Sequence, residues 1–161
     1  MANKSNTECL ISIEIEGQNT AFLKPDVEQE RRIAIYDILE ENHFILKGDK
    51  LPGPYHLCLK FLENQLILHL STGTSSSIRE IALSMTPFRS LMKNYLAVCQ
   101  NYTEAIRKAP RARIEAIDMG RRSLHNEASE LLCELLKSDV EIDFDTARRL
   151  FTLIYVLHTK R

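Results

Sequence analysis

From Leu10 to Glu16 the chain alternates, with Ile11, Ile13 and Ile15 set against Ser12, Glu14 and Glu16. That period of two is the pattern of a half-buried strand, ended by Gly17 and Asn19. Pro25 and Asp26 open a predicted helix that runs to about Glu41; proline suits the first turn, where its missing N–H would have no partner anyway. Glu28 and Arg32, four apart, can pair on its exposed side. His43 to Lys47 is a short strand, and the breaker-dense stretch Gly48 to Pro54 is a loop. Tyr55 to Leu62 alternates again, with Tyr55, Leu57, Leu59 and Phe61 on one face. After a tight turn at Glu63-Asn64, Gln65 to Leu70 repeats the pattern with Leu66, Leu68 and Leu70, which predicts a hairpin. Ser71 to Ser77 reads as a loop, and Ile78 to Met85 as a further strand.

The period then lengthens to that of a helix. Thr86 as N-cap and Pro87 as first residue start a helix to about Lys108. Its apolar stripe is Phe88, Leu91, Met92, Tyr95, Val98, Cys99, Tyr102 and Ile106. Pro110 stops it and begins the next helix, in which Ile114 to Leu136 places Ile117, Leu124, Ala128, Leu131, Leu132 and Leu135 on one stripe at about 100° per residue. Gly120 lies inside that helix at a cost of roughly 1 kcal/mol against Ala, so close packing or a kink is expected there. Val140 to Phe144 is a short strand or an extended connection. Asp145 is the predicted cap of a last helix, Thr146 to about His158, which is apolar almost all round and so is buried in the core or in an oligomer interface.

Strands with one helix come first and three helices follow, which predicts an α+β fold. The expectation is one domain over residues 1–161, strand-rich over 1–85 and helical over 86–161. In it an antiparallel sheet with one N-terminal helix packs against the three-helix half. A chain of 161 residues can bury a real core. Its net charge of -1 argues against a protein that coats nucleic acid, which usually carries a basic excess; only a local basic corner, Arg107, Lys108, Arg111 and Arg113 around Pro110, remains for such contacts. Cys9, Cys58, Cys99 and Cys133 are too dispersed for a zinc site or a disulfide framework, and suit reduced thiols in the cytoplasm. The N-terminus shows no signal-peptide core, and no apolar run reaches membrane-spanning length. No P-loop, dinucleotide fingerprint, H-E-x-x-H or G-x-S-x-G motif is present, so neither a cofactor nor a metal is predicted. His56 and His69 could be cross-strand neighbours on the second face of the hairpin, where a solvated pair is expected rather than a metal site.

The departure from these regular patterns lies in the long helix. Arg121 and His125 fall inside its apolar stripe and Asp118 sits at the edge. Burying such groups is costly unless they are paired, and positions where local rules break tend to be functional or strained. Asp118, Arg121, Arg122, His125 and Asn126 are within helical reach of one another. They read either as an anion pocket, with arginine forks for phosphate or carboxylate and His125 as acid, base or nucleophile, or as a buried ion-pair network. A second group is Asp143, Asp145, Arg148 and Arg149. Cations in a first helical turn oppose the macrodipole, so Arg148 and Arg149 need acidic partners such as Asp143 and Glu141, or an anionic ligand. The run R-S-L-H-N-E around His125 is also similar to the phosphoacceptor box of some histidine kinases, but Asn126 replaces the usual acidic neighbour and no ATP-binding motif follows.

The runs D-M-G-R-R-S-L-H-N-E (Asp118 to Glu127) and I-D-F-D-T-A-R-R-L-F-T-L-I (Ile142 to Ile154), with P-F-R at Pro87 to Arg89 and the Y-x-L-x-L strand from Tyr55, resemble an uncharacterised protein family of alphaproteobacteria, number two-six-two of its series. The resemblance implies a small bacterial cytoplasmic protein with no assigned activity, and it supplies no catalytic residues. The leading functional reading is an interaction or regulatory module. It would bind a protein partner or a small anionic ligand through Asp118, Arg121, Arg122, Asn126, Arg148 and Arg149. The alternatives are a small enzyme acting on a phosphorylated or carboxylated substrate with His125 as acid–base, and an RNA- or ribosome-associated factor using the basic corner. The apolar last helix also allows a homodimer.

Overall fold

A computed structural model describes residues 7–17, 24–48, 51–73 and 75–159. The fold is α+β. Strands β1 (Leu10–Ile15), β3 (Tyr55–Leu62), β4 (Gln65–Thr72) and β5 (Ser75–Ser84) form one sheet in the order β1-β3-β4-β5. Strands β2 (Phe44–Leu46) and β6 (Val140–Ile142) form a second, two-stranded sheet. The helices are α1 (Pro25–Glu40), α2 (Arg89–Lys108), α3 (Arg111–Leu136) and α4 (Phe144–Thr159).

The hairpin is as the alternation predicts. β3 and β4 pair antiparallel, with Leu57 opposite Leu70 and Leu59 opposite Leu68, and Glu63 takes the turn at φ 57. Leu57, Leu59, Leu66, Leu68 and Leu70, with Ile81 and Leu83 of β5, form the buried face. The expected wholly antiparallel sheet needs correction: β1 runs parallel to β3. The segment between them holds α1 and β2, and a crossover of that kind returns the chain in the same direction. The Ser71 to Ser77 loop is also shorter than expected, since β4 continues to Thr72 and β5 begins at Ser75. His56 and His69 are diagonal rather than opposite: His56 faces Ser71 and His69 faces Cys58. His56 Nδ1 meets Ser12 Oγ, and His69 Nδ1 meets Glu80 at 3.2 Å. Asn19, expected to help end β1, lies outside the described residues.

Pro25 starts α1, and Arg32 donates to Glu28 at 2.9 Å on its outer side. Thr86 does not cap α2. A 3-10 turn over Thr86–Phe88 precedes that helix, and the Thr86 hydroxyl instead accepts a hydrogen bond from Asn64 beside the hairpin turn. Pro110 is the N-cap of α3, which therefore starts at Arg111. Gly120 is not closely packed: a Cβ there would meet nothing within 4 Å, and α3 runs unbroken through it. Leu135 turns outward while Leu136 is buried in its place.

The strand-rich and helical halves interleave. β6 follows α3 and returns to pair antiparallel with β2, Phe44 opposite Ile142, and α4 packs against both α1 and α3. Leu150, Phe151, Leu153, Ile154, Tyr155, Val156 and Leu157 of α4 are all buried within the chain's own core. At roughly 1.5–3 kcal/mol for each large apolar side chain buried, this helix anchors the fold, while Phe144 at its start stays exposed. Among the described residues no helix is long and apolar enough to cross a membrane.

Candidate functional site

The polar break in the α3 stripe meets a polar break in α4. Thr152 is the one exposed residue between Leu150 and Leu157, and its hydroxyl lies 2.9 Å from His125 Nε2. Thr152 Oγ1 also donates to the carbonyl of Arg148 at 3.1 Å, as a threonine one turn along a helix can. With that hydroxyl proton so directed, Nε2 of His125 is the protonated nitrogen and donates to Thr152. His125 itself is 7% exposed, and Nδ1 is buried without a hydrogen-bond partner. Its ring is held edge-on by Tyr95 at 5.6 Å and Phe151 at 5.3 Å between centroids, and Tyr95 stacks edge-on with Tyr155 at 4.8 Å. Below the ring Ser129 Oγ donates to the His125 carbonyl at 2.7 Å.

This enclosure fixes the charge state of the imidazole. Burial, reinforced by the positive charges of Arg148 and Arg121, lowers its pKa from the ordinary 6.5 to about 4. His125 is therefore neutral at physiological pH.

Asp118 sits one turn before Arg121 and binds both of the following arginines. Oδ1 accepts from Arg121 Nε and Nη2 at 3.0 and 2.6 Å, and Oδ2 accepts from Arg122 Nε and Nη2 at 3.0 and 2.6 Å. The hydrogen bonds from Arg121 and then Arg122 hold its carboxyl below the usual carboxylate range. Arg121 also lies 5.5 Å over the Tyr102 ring. The ion-pair part of the sequence reading is thus present, and it is a fork of two guanidinium groups on one carboxylate.

The second predicted group is rearranged. Asp143, not Asp145, caps α4: its Oδ1 accepts from the Thr146 amide at 2.8 Å, so the helix begins at Phe144. Arg148 and Arg149 consequently sit in the second turn, where the macrodipole penalty has faded. Arg149 bonds the Glu41 carbonyl at 3.1 Å and lies 4.0 Å from the Glu41 carboxylate, rather than pairing with Glu141, which meets His43 at 2.7 Å. Arg148 has no ion pair among the described residues, and its Nε is buried without a partner.

Tyr95, Arg121, His125, Asp145, Arg148, Arg149 and Thr152 line one cleft of about 370 Å³ between α2, α3 and α4. Of the sequence candidates, Arg121, His125, Arg148 and Arg149 therefore converge, and Asp118 holds Arg121 from outside the lining. Arg122 and Asn126 do not join them; they lie on another face of α3 beside Met119, Ser123, Glu127 and Glu130. Tyr95, Asp145 and Thr152 are lining residues that the sequence reading treated as core, cap or nothing. Thr152 had a usable signal, a hydroxyl in an apolar run. Tyr95 had none, because a buried tyrosine in a stripe looks the same whether or not it borders a cleft.

The basic corner near Pro110 carries acids among its cations. Arg111 pairs with the exposed Glu115 at 3.1 Å, and Lys108 and Arg113 share a cleft with Glu104. The phosphoacceptor reading of His125 does not survive: a phosphoacceptor must present a ring nitrogen to its partner, whereas here one is bonded to Thr152 and the other is buried.

The model of the uncharacterised protein family UPF0262 matches residues 7–160. Similar proteins include the UPF0262 protein of Rhodospirillum rubrum, 46% identical over 96% of this chain and 95% of its own length. Those of Brucella canis, 47% identical over 92% of each chain, and Chelativorans sp., 45% identical over the full length of both, are comparable. No solved structure matches. With a family match spanning nearly the whole fold, the clasp on Asp118 and the arginine cleft included, this chain belongs to the uncharacterised protein family UPF0262.

Proposed function

We propose that the protein is a binding module for an anionic ligand, held in the cleft between α3 and α4, and that it acts by interaction or regulation rather than by catalysis. The observation that carries this reading is Arg148. A guanidinium with a buried, unpartnered Nε and no ion pair among the described residues is expensive to keep unless something negative compensates it. Arg121 and Arg149 line the same space, so an anion there would meet three guanidinium groups rather than one, the Nε and Nη2 of Arg121 being held by Asp118. His125 serves as a positioning residue. It is uncharged at neutral pH, because its pKa is about 4, and its one N–H is directed at Thr152; that bond fixes the turn of α4 that presents Arg148 and Arg149.

The test is thermal melting of the wild type and Arg148→Gln in chloride against sulfate, phosphate and citrate at matched ionic strength. Binding stabilises the folded state by mass action, so at least one polyvalent anion should raise the wild-type melting temperature and not that of the variant. Equal responses in the two proteins would sink the reading.

A further inference from the structure

We infer that the ligand of this cleft is a small hydroxylated phosphomonoester, such as a polyol or sugar phosphate; this rests on the anion-binding reading above and specifies its chemistry. Arg121 comes from α3, and Arg148 and Arg149 from α4, so three guanidinium groups approach one space from two helices. A carboxylate has two oxygens and is matched by a single planar fork, whereas a phosphoryl group has three terminal oxygens and can accept from three. Charge points the same way. Asp118 is shared by Arg121 and Arg122, so one positive charge of that group is left over, and Arg148 and Arg149 against the single carboxylate of Asp145 in the same cleft leave another. Glu41 lies 4.0 Å from Arg149, and its side chain is 85% exposed, so it offsets that arginine only loosely. An oxyanion carrying two negative charges suits this excess.

The cleft also says something about the rest of the ligand. Its volume of about 370 Å³ leaves room beyond a phosphoryl group. Asp145, exposed and without an ion pair among the described residues, lines the space together with the Thr152 hydroxyl. A carboxylate there repels a second anionic group and accepts hydrogen bonds from hydroxyls. A single phosphate on a polyol satisfies both demands; a bisphosphate or a tricarboxylate meets Asp145 with like charge.

Isothermal titration with glycerol 3-phosphate, inorganic phosphate, malonate and glycerol, on the wild type, Arg148→Gln and Asp145→Asn, tests this. Glycerol 3-phosphate should bind most tightly, inorganic phosphate next and malonate about tenfold more weakly than phosphate, with no binding of glycerol alone. Arg148→Gln should lose about tenfold for both phosphate ligands, and Asp145→Asn should erase the advantage of glycerol 3-phosphate over phosphate. Malonate binding as tightly as phosphate, abolished in Arg148→Gln, would overturn the phosphomonoester and leave the anion cleft standing. Glycerol 3-phosphate binding no better than phosphate would overturn the hydroxylated part. Binding of no anion at all would remove both readings together.

Discussion

The helical half contains two adjacent arginine pairs, Arg121–Arg122 on α3 and Arg148–Arg149 on α4, and they meet different electrostatic fates. On α3 one carboxylate three and four residues upstream serves both guanidinium groups, each through two hydrogen bonds. The whole clasp lies on one helix. On α4 the capping carboxylate, Asp143, is committed to the Thr146 amide. Arg149 must reach across to Glu41, at the end of α1, and Arg148 is left beside a neutral histidine. The α3 pair is explained by local structure, and the α4 pair is not. The difference teaches that a binding site is better sought where a charge lacks a local partner than where charges are merely dense.

The largest expected effect falls on the element between the pairs. His125→Ala empties a space walled by Tyr95 and Phe151 and frees Thr152. By comparison with aromatic truncation in cores it should lower unfolding free energy by roughly 3 kcal/mol, measured by urea denaturation. A loss below about 1 kcal/mol would mean that His125 does not organise the contact between α3 and α4.

The pH dependence sharpens the same point. The folded pKa of His125, about 4, lies below its ordinary 6.5. Between these values the unfolded chain binds the proton and the folded chain does not. Stability from this group is therefore complete above about pH 6.5 and is lost as pH falls towards 4, by roughly 3 kcal/mol in total. Denaturation at a series of pH values should show that slope in the wild type and lack it in His125→Phe. Asp118, whose carboxyl lies below the carboxylate range, adds its own loss only at lower pH.

Smaller effects separate the pairs themselves. Gly120→Ala, just before the α3 arginines, faces open space within a regular helix and should stabilise by about 1 kcal/mol, with ligand binding unchanged. A loss of stability would show that α3 is constrained there after all. Arg148→Gln removes a cation whose Nε is buried without a partner and, in the absence of anions, should leave stability unchanged or raise it, by up to about 1 kcal/mol. Asp118→Asn, in contrast, strips two guanidinium groups of the carboxylate they share and should lower the melting temperature. A reversed order would erase the distinction between the two pairs.

Local chemistry explains what could be read from the linear chain. Alternation fixed the hairpin of β3 and β4 because a strand's side chains change face at every residue, so Leu57, Leu59, Leu66, Leu68 and Leu70 had to share one side. Periodicity placed the four helices and exposed Arg121 and His125 as intruders in an apolar stripe. The clasp on Asp118 was legible for the same reason, since partners three and four residues apart are set by helical geometry alone. The family was legible from two runs of sequence.

What depended on distance along the chain was decided only in three dimensions. The parallel direction of β1 follows from how α1 and β2 cross over the sheet, and no residue in β1 encodes it locally. Asp145 and Asp143 are both good caps by type; the pairing of β6 with β2 places Asp143 at the turn. Arg122 and Asn126 left the candidate site, and Thr152, Tyr95 and Asp145 entered it, because the rotation of α3 against α4 determines which side chains face each other. A helix constrains its own neighbours to within one turn, whereas the meeting of His125 with Thr152 and Arg148 is set by the packing of a whole core.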